Sequence, residues 1–176
     1  MIAASLWFDP ALEAEIRELW AGLARAGITD GLHAGPYRPH VTLGIWDSMA
    51  LAPFMADLQR LADQTSPLRM HFDAVGTFED RESVAFLRPR PSAALASIRA
   101  RVHAIAAAHG SGVHHRTVPD TWNPHCTLAW GLAPATLARA LEFLHGAQLP
   151  APGRAVAIGV IDTPAEIELE RIELRA

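Results

Sequence analysis

Apolar positions recur along the chain in two rhythms. Residues 2–8 form a short apolar run and read as a strand. Leu12, Ile16, Leu19 and Leu23 then repeat at helical spacing, with Asp9 placed to cap the helix, Pro10 in its first turn and Gly27 at its end. Residues 50–63 repeat the helical rhythm through Leu51, Phe54, Met55, Leu58 and Leu61, and residues 68–78 look extended. The second half follows the same plan. Residues 84–88 read as a strand, and 91–109 as a helix with Leu95, Ile98, Val102 and Ile105 on one face and Gly110 at its end. Residues 134–145 read as a helix stopped by Gly146, and 155–162 and 166–174 look extended. In the last segment Ile167, Leu169 and Ile172 alternate imperfectly with Glu166, Glu168 and Glu170. Each half is therefore roughly β-α-β-α-β. The expected architecture is α+β and bilobal: two pseudo-symmetric halves, about 1–80 and 81–176, in one domain spanning 1–176. The stretch 149–153, with two prolines, reads as a loop inside that domain.

A short motif also repeats. Tyr37-Arg38-Pro39-His40-Val41-Thr42-Leu43 and Trp122-Asn123-Pro124-His125-Cys126-Thr127-Leu128 both read aromatic, any residue, Pro, His, any residue, Thr, Leu. They lie 85 residues apart, one in each half. Proline favours extended backbone before it and is tolerated where a strand starts. On a regular strand His40, Thr42 and Gly44 would share one face, with Val41, Leu43 and Ile45 on the other. His125, Thr127 and Ala129 would likewise share a face opposite Cys126, Leu128 and Trp130. The polar rows would then end in a tiny residue, leaving room beside each His–Thr pair. If the rows converge, two imidazoles with ordinary pKa near 6.5 can serve as base and acid, and two hydroxyls can donate to phosphate oxygens.

These motifs resemble the paired H-x-T/S-Φ signatures (Φ apolar) of the 2H phosphoesterase superfamily, in its 2′-5′ RNA ligase-like, cyclic phosphodiesterase branch. The likeness covers length, duplicated halves and both motifs. It implies a bilobal α+β fold with antiparallel sheets flanking a central cleft. It also implies metal-independent opening of 2′,3′-cyclic phosphates on nucleotides or RNA ends, with 2′-5′ ligation as a side activity. Carried over, His40 and His125 are the acid/base pair, and Thr42 and Thr127 the phosphate binders. No cofactor and no metal are implied. Where some relatives carry a basic residue just after a motif, this chain has Gly44-Ile45-Trp46-Asp47 and Ala129-Trp130-Gly131.

Composition narrows the reading. Half of the 176 residues are hydrophobic and 19% charged, which suits a buried core rather than disorder. The net charge is −4 and every one of the 15 basic residues is Arg. A lysine nucleophile, Schiff base or P-loop lysine is thereby excluded. A pI near 6.1 argues against a duplex-binding surface but leaves room for a small anionic ligand held by one or two Arg. Tyr37 and Trp122 are candidates to stack a base; Arg38 and Arg116 are candidates to meet a phosphate. The single cysteine, Cys126, excludes a disulfide framework, and on the strand reading it points into the core as an inert thiol. His114-His115, like His33, lacks metal-ligand spacing. The start shows no export signal and no apolar run approaches a membrane span, so a cytoplasmic monomer with no stable protein partner is expected. The expected ligand is a small nucleotide or RNA terminus bearing a cyclic phosphate. A non-catalytic nucleotide binder on the same scaffold is the alternative; a metal hydrolase built on His33, His114 or His115 has no support from spacing.

Overall fold

In the computed structural model, which describes residues 1–78, 83–118 and 120–176, side-chain caps open the two longest helices. Strand β1 (Ile2–Phe8) runs into α1 (Pro10–Arg25), where Asp9 Oδ1 accepts the Leu12 N–H at 2.9 Å. Gly27, at φ +63°, closes that helix: the Ile28 N–H reaches the Leu23 carbonyl and the Gly27 N–H the Ala24 carbonyl. A single turn, α2 (Gly31–Ala34), precedes β2 (His40–Met49) and α3 (Leu51–Asp63). The segment expected to be one extended stretch over 68–78 divides at His71 into β3 (Leu68–Met70) and β4 (Phe72–Phe78). After β5 (Val84–Pro89), the Ser92 hydroxyl caps α4 (Ala93–His109) through the Leu95 N–H. Then come β6 (Gly110–Val113), a 3-10 turn at His115–Thr117, β7 (Cys126–Ala129), α5 (Pro134–Gly146), β8 (Gly153–Asp162) and β9 (Ile167–Glu173).

Two antiparallel sheets result. The first has six strands in the order β3-β8-β1-β2-β6, with β9 also paired to β8; the second is β4-β5-β7. Neither sheet is built from one half of the sequence. The first half sends β4 to pair with β5, and the second half sends β8 to pair with β1. The order β8-β1-β2 in one sheet matches β4-β5-β7 in the other, so the repeat is preserved in topology while the closing strands are exchanged. The helices follow suit: α3 and α4 pack on the first sheet, α1 and α5 against strands of the second. Among the described residues no helix is long and apolar enough to cross a membrane.

Strand β1 is buried along its whole length because both its faces are covered. Ala4, Leu6 and Phe8 belong to the apolar core, whereas Ala3, Ser5 and Trp7 lie on the other face, the one that carries His40 and Thr42. That second face explains why the run 2–8 does not alternate.

The motif strands depart from regular alternation. In β2, Ala4 pairs with Gly44 but Ser5 pairs with Thr42, so Leu43 is an extra residue. In β7, Ala85 pairs with Ala129 but Phe86 pairs with Thr127, which makes Leu128 the extra residue. The bulge reverses the phase of everything after it. Gly44 therefore does not share the face of His40 and Thr42, as regular alternation would require; it turns toward α4. A Cβ there would lie 2.4 Å from the Trp46 ring and 2.9 Å from His103 Nε2. Ala129 likewise joins the core, against Ala85. The room expected beside the His–Thr pairs is thus filled by packing.

Gly44→Ala should therefore destabilise the fold by roughly 1–3 kcal/mol, the usual range for overpacking. Gly146→Ala, where a Cβ meets nothing within 4 Å, should change stability by no more than about 0.5 kcal/mol. Urea denaturation of the two variants against the parent chain checks the contrast.

Candidate active site

Both imidazoles are held by the same bond. In each Pro-His step the ring folds back on the carbonyl two residues earlier: His40 Nδ1 lies 2.7 Å from the Arg38 oxygen, and His125 Nδ1 lies 2.7 Å from the Asn123 oxygen. A carbonyl can only accept, so Nδ1 carries the hydrogen in both rings. In the neutral ring Nε2 then holds the lone pair. The geometry is duplicated to within the distance quoted, although the residues supplying the carbonyls differ.

Beside the bulges, backbone oxygens take partners from outside the ladders. The Trp122 indole N–H donates to the Thr42 carbonyl at 3.0 Å, and the Trp20 indole N–H to the Thr127 carbonyl at 3.1 Å. His103 Nε2 donates to the Leu43 carbonyl at 3.0 Å. Thr42 and Thr127 stay half-buried on the faces of their histidines.

The two motifs meet. The charge of a protonated His40 acts on His125 and lowers its pKa, and the Cys126 thiol interacts with the His40 backbone. Strands β2 and β7 touch. Cys126 is buried, as the strand reading expected, and burial pushes its thiol up to about 12. It is not a nucleophile at neutral pH. Burial depresses both histidines below the ordinary value. His40 is pulled back up by its bond to the Arg38 carbonyl and by the Glu168 carboxylate; His125 is pulled up by the Asn123 carbonyl and further down by His40 and Arg116.

The walls differ. Across the first sheet one row runs His40, Trp7, Ala157, Glu173 and the next Thr42, Ser5, Gly159, Arg171. The Trp7 ring lies over Gly159, where a Cβ would come within 2.0 Å of it; Arg38 and Arg171 stand over the ring at 5.1 and 5.8 Å. On the second sheet Thr127 pairs with Phe86 and Phe86 with Gly76. The His125 ring sits 5.0 Å from Phe78 and 5.3 Å from Phe86. One wall is ionic, the other aromatic.

The remaining candidates have definite surroundings. Arg38 donates to Glu13 at 2.7 Å and to Glu168 at 3.2 Å. Tyr37 donates its hydroxyl to Glu166 at 2.7 Å, and its ring meets Trp130 edge-on at 5.9 Å. Trp122 is half-buried, with Arg99 stacked on it at 4.7 Å. Arg116 is close enough to His125 to lower its pKa. The His114 and His115 rings lie 4.3 Å apart, and among the described residues no cluster of three or more His, Cys, Asp or Glu could hold a metal. Sequence reading missed Trp7, Phe78, Phe86 and Glu168, because only ladder register and the strand exchange bring them beside the histidines. Trp130, half exposed just past the end of β7, carried one signal: it lies two residues after the motif.

Comparison with known proteins shows the family, over a stretch that holds the second motif but not the first. The sequence model of the 2′-5′ RNA ligase superfamily matches residues 48–165, more than half of the chain, including His125 and Thr127. No curated protein sequence matches. Among solved structures, Escherichia coli LigT complexed with 3′-AMP is similar at TM-score 0.58 and 18% identity, over 99% of this chain and 98% of that one. A second crystal structure, described as a phosphoesterase, aligns at TM-score 0.56 and 18% identity over 99% and 98%. Kluyveromyces marxianus Usb1 aligns at 0.55 and 11% identity over 99% and 97%. At these identities the likeness is one of fold.

Depressed histidines make stability depend on pH with a definite sign. The unfolded chain takes up protons near pH 6.5, but His40, His125 and His103, all lowered chiefly by burial, accept them only at lower pH when folded. Their contribution is complete above about pH 6.5 and is lost as pH falls from there through the folded values. His103→Gln, which keeps a donor for the Leu43 carbonyl, should flatten that slope. Denaturation free energies measured at pH 7.5 and 5.5 for parent and variant check this.

Proposed function

The chain belongs to the 2′-5′ RNA ligase superfamily, a family of 2H phosphoesterases, and from that premise we propose that it is a metal-independent phosphodiesterase opening 2′,3′-cyclic phosphates. The observation that carries the proposal is the duplicated Nδ1–H···O=C bond, which leaves two Nε2 atoms available in rings that interact electrostatically. In this reading one neutral ring takes a proton from water as its oxygen bonds to phosphorus. The other ring, protonated, gives its proton to the ribose oxygen as the P–O bond breaks. The Thr42 and Thr127 hydroxyls donate to the non-bridging oxygens, where charge grows in the transition state. Atoms balance: one water enters, and the product is a 2′- or 3′-phosphomonoester with a free neighbouring hydroxyl.

Both rings lean toward the neutral form, which supplies the base; the anionic phosphate favours uptake of the proton needed for the acid. General acid–base catalysis of this kind contributes roughly 10²–10⁴-fold. The substrate we infer is nucleotide-sized or an RNA end. A net charge of −4 without any lysine suits one phosphate group in a cleft better than a long backbone. LigT and Usb1 have been crystallised with 3′-AMP and uridine monophosphate, which supports a mononucleotide-sized ligand here. In this reading the two halves act as one bilobal domain over 1–176, and ligation is the reverse reaction, minor in water.

Turnover of 2′,3′-cyclic nucleotides should persist in excess EDTA. His40→Ala and His125→Ala should each lose about 10²–10⁴-fold in kcat. Thr42→Val and Thr127→Val should each lose roughly ten- to a hundredfold, the worth of one charge-assisted hydrogen bond. Undiminished activity in either histidine variant would sink the mechanism; a nucleotide that binds and is recovered unchanged would make the protein a binding module.

A further inference from the structure

Among the described residues one aromatic ring stands exposed: Trp130, at 49%, while every other Trp, Tyr or Phe is buried or half-buried. A single exposed indole means little by itself; its position gives it meaning. Five residues after His125, Trp130 holds the place that Ile45 holds after His40. Ile45 pairs with Ala3, on the face of β1 that carries Ser5 and Trp7, so past its bulge β2 returns to the face of His40 and Thr42. In β7 the bulge falls at the matching residue and Ala129 is turned into the core. By the same alternation Trp130 comes back to the face of His125 and Thr127. It lies one cleft-facing position beyond Thr127, about 7 Å along the strand.

The two corners are finished differently. Ile45 is tied to the 3-10 turn: its N–H donates to the Thr117 hydroxyl at 3.2 Å, and its carbonyl accepts the His114 N–H at 2.9 Å. Beyond Trp130 the chain turns away through Gly131, at φ +64°, where a Cβ would meet nothing within 4 Å. What reaches Trp130 is Tyr37, three residues before His40; the rings meet edge-on at 5.9 Å and 81°. Tyr37 is itself held, through its hydroxyl, by Glu166 at 2.7 Å. A T-shaped contact uses the edge of one ring and one face of the other, so it leaves at least one face of the Trp130 indole clear. Trp122, the aromatic of the second motif, has no such room. Its indole N–H donates to the Thr42 carbonyl, and Arg99 stacks on it at 4.7 Å.

We propose that Trp130, with Tyr37 as its fixed neighbour, is the base-binding corner of the cleft: the nucleobase of the ligand stacks on the open face of the Trp130 indole while its phosphate lies between the histidines. The place of the phosphate rests on the reading under Proposed function; the stacking surface is a separate observation. One cleft-facing position past Thr127 is the reach of a ribose between its phosphate and its base. Stacking tolerates any base, because each has a π-face, and it grows with the area of the ring. The corner therefore selects for ring size, and the ligand class is a nucleotide or RNA end with a purine at its terminal phosphate.

Equilibrium binding of 3′-AMP, 3′-UMP and inorganic phosphate to the full chain tests the corner without using activity. The parent should bind 3′-AMP more tightly than 3′-UMP. Trp130→Ala should weaken 3′-AMP roughly five- to a hundredfold, the worth of one stacked base, remove the preference over 3′-UMP and leave phosphate binding unchanged. Trp130→Phe should keep most of the nucleotide affinity. In NMR spectra the Trp130 indole N–H resonance, identified by its absence from Trp130→Phe, should move on addition of 3′-AMP and stay in place with inorganic phosphate. A parent chain that does not bind 3′-AMP, an unchanged 3′-AMP affinity in Trp130→Ala, or an equal loss for phosphate would overturn the proposal. So would a change of oligomeric state in Trp130→Ala with nucleotide affinity intact, which would make the ring a protein contact. In turnover of a 2′,3′-cyclic purine nucleotide, Trp130→Ala should raise KM and leave kcat in place, as expected when binding common to ground and transition state is removed. If the binding results hold but the parent turns over no cyclic phosphate, the functional reading fails and the base-binding corner stands.

Discussion

Each imidazole is tied to the carbonyl two residues before it, and the chemistry proposed for the pair depends on that bond. It costs the ring its rotational freedom, decides which nitrogen carries hydrogen, and aims the other nitrogen away from the backbone. A proline lies between ring and acceptor in both copies. It restricts the preceding residue to extended backbone, so the carbonyl that must accept is already positioned before the strand begins. The ring's preference for one tautomer is thus a consequence of backbone geometry rather than of a distant side chain.

The bulge one turn of the pleat later has the complementary task. A regular strand carrying His, Thr and a small residue on one face would present a flat polar row. Inserting Leu43 and Leu128 into the ladder turns Gly44 and Ala129 into the core, and the Trp122 and Trp20 indoles donate to the threonine carbonyls beside the bulges. Each motif strand is therefore anchored by a tryptophan from outside its own sheet. The exchange of β4 and β8 works in the same direction. Neither half can complete its sheet alone, so the relative placement of the two histidines is tied to the folding of the whole chain.

Duplication has left the two walls unequal. The first carries Trp7 beneath Arg38 and Arg171 with their carboxylate partners; the second carries Phe78 and Phe86. The two imidazoles therefore share one kind of anchor but sit in different surroundings.

Much of this could be read before any coordinates. The caps at Asp9 and Gly27, the apolar stripes of the long helices and the twin Pro-His-x-Thr steps depend on residues within a few positions of one another, and local chemistry settles them. The strand exchange, the division of 68–78 between two sheets, the bulges and the wall residues depend on which strands pair and in what register. An extended segment looks the same whichever neighbour it finds, and one inserted residue in a ladder leaves no mark on the sequence. For that reason His40, Thr42, His125 and Thr127 were visible as candidates from their repetition, whereas Glu168, distant from both motifs in the chain, became visible only when β9 was laid beside β8 and its carboxylate met Arg38.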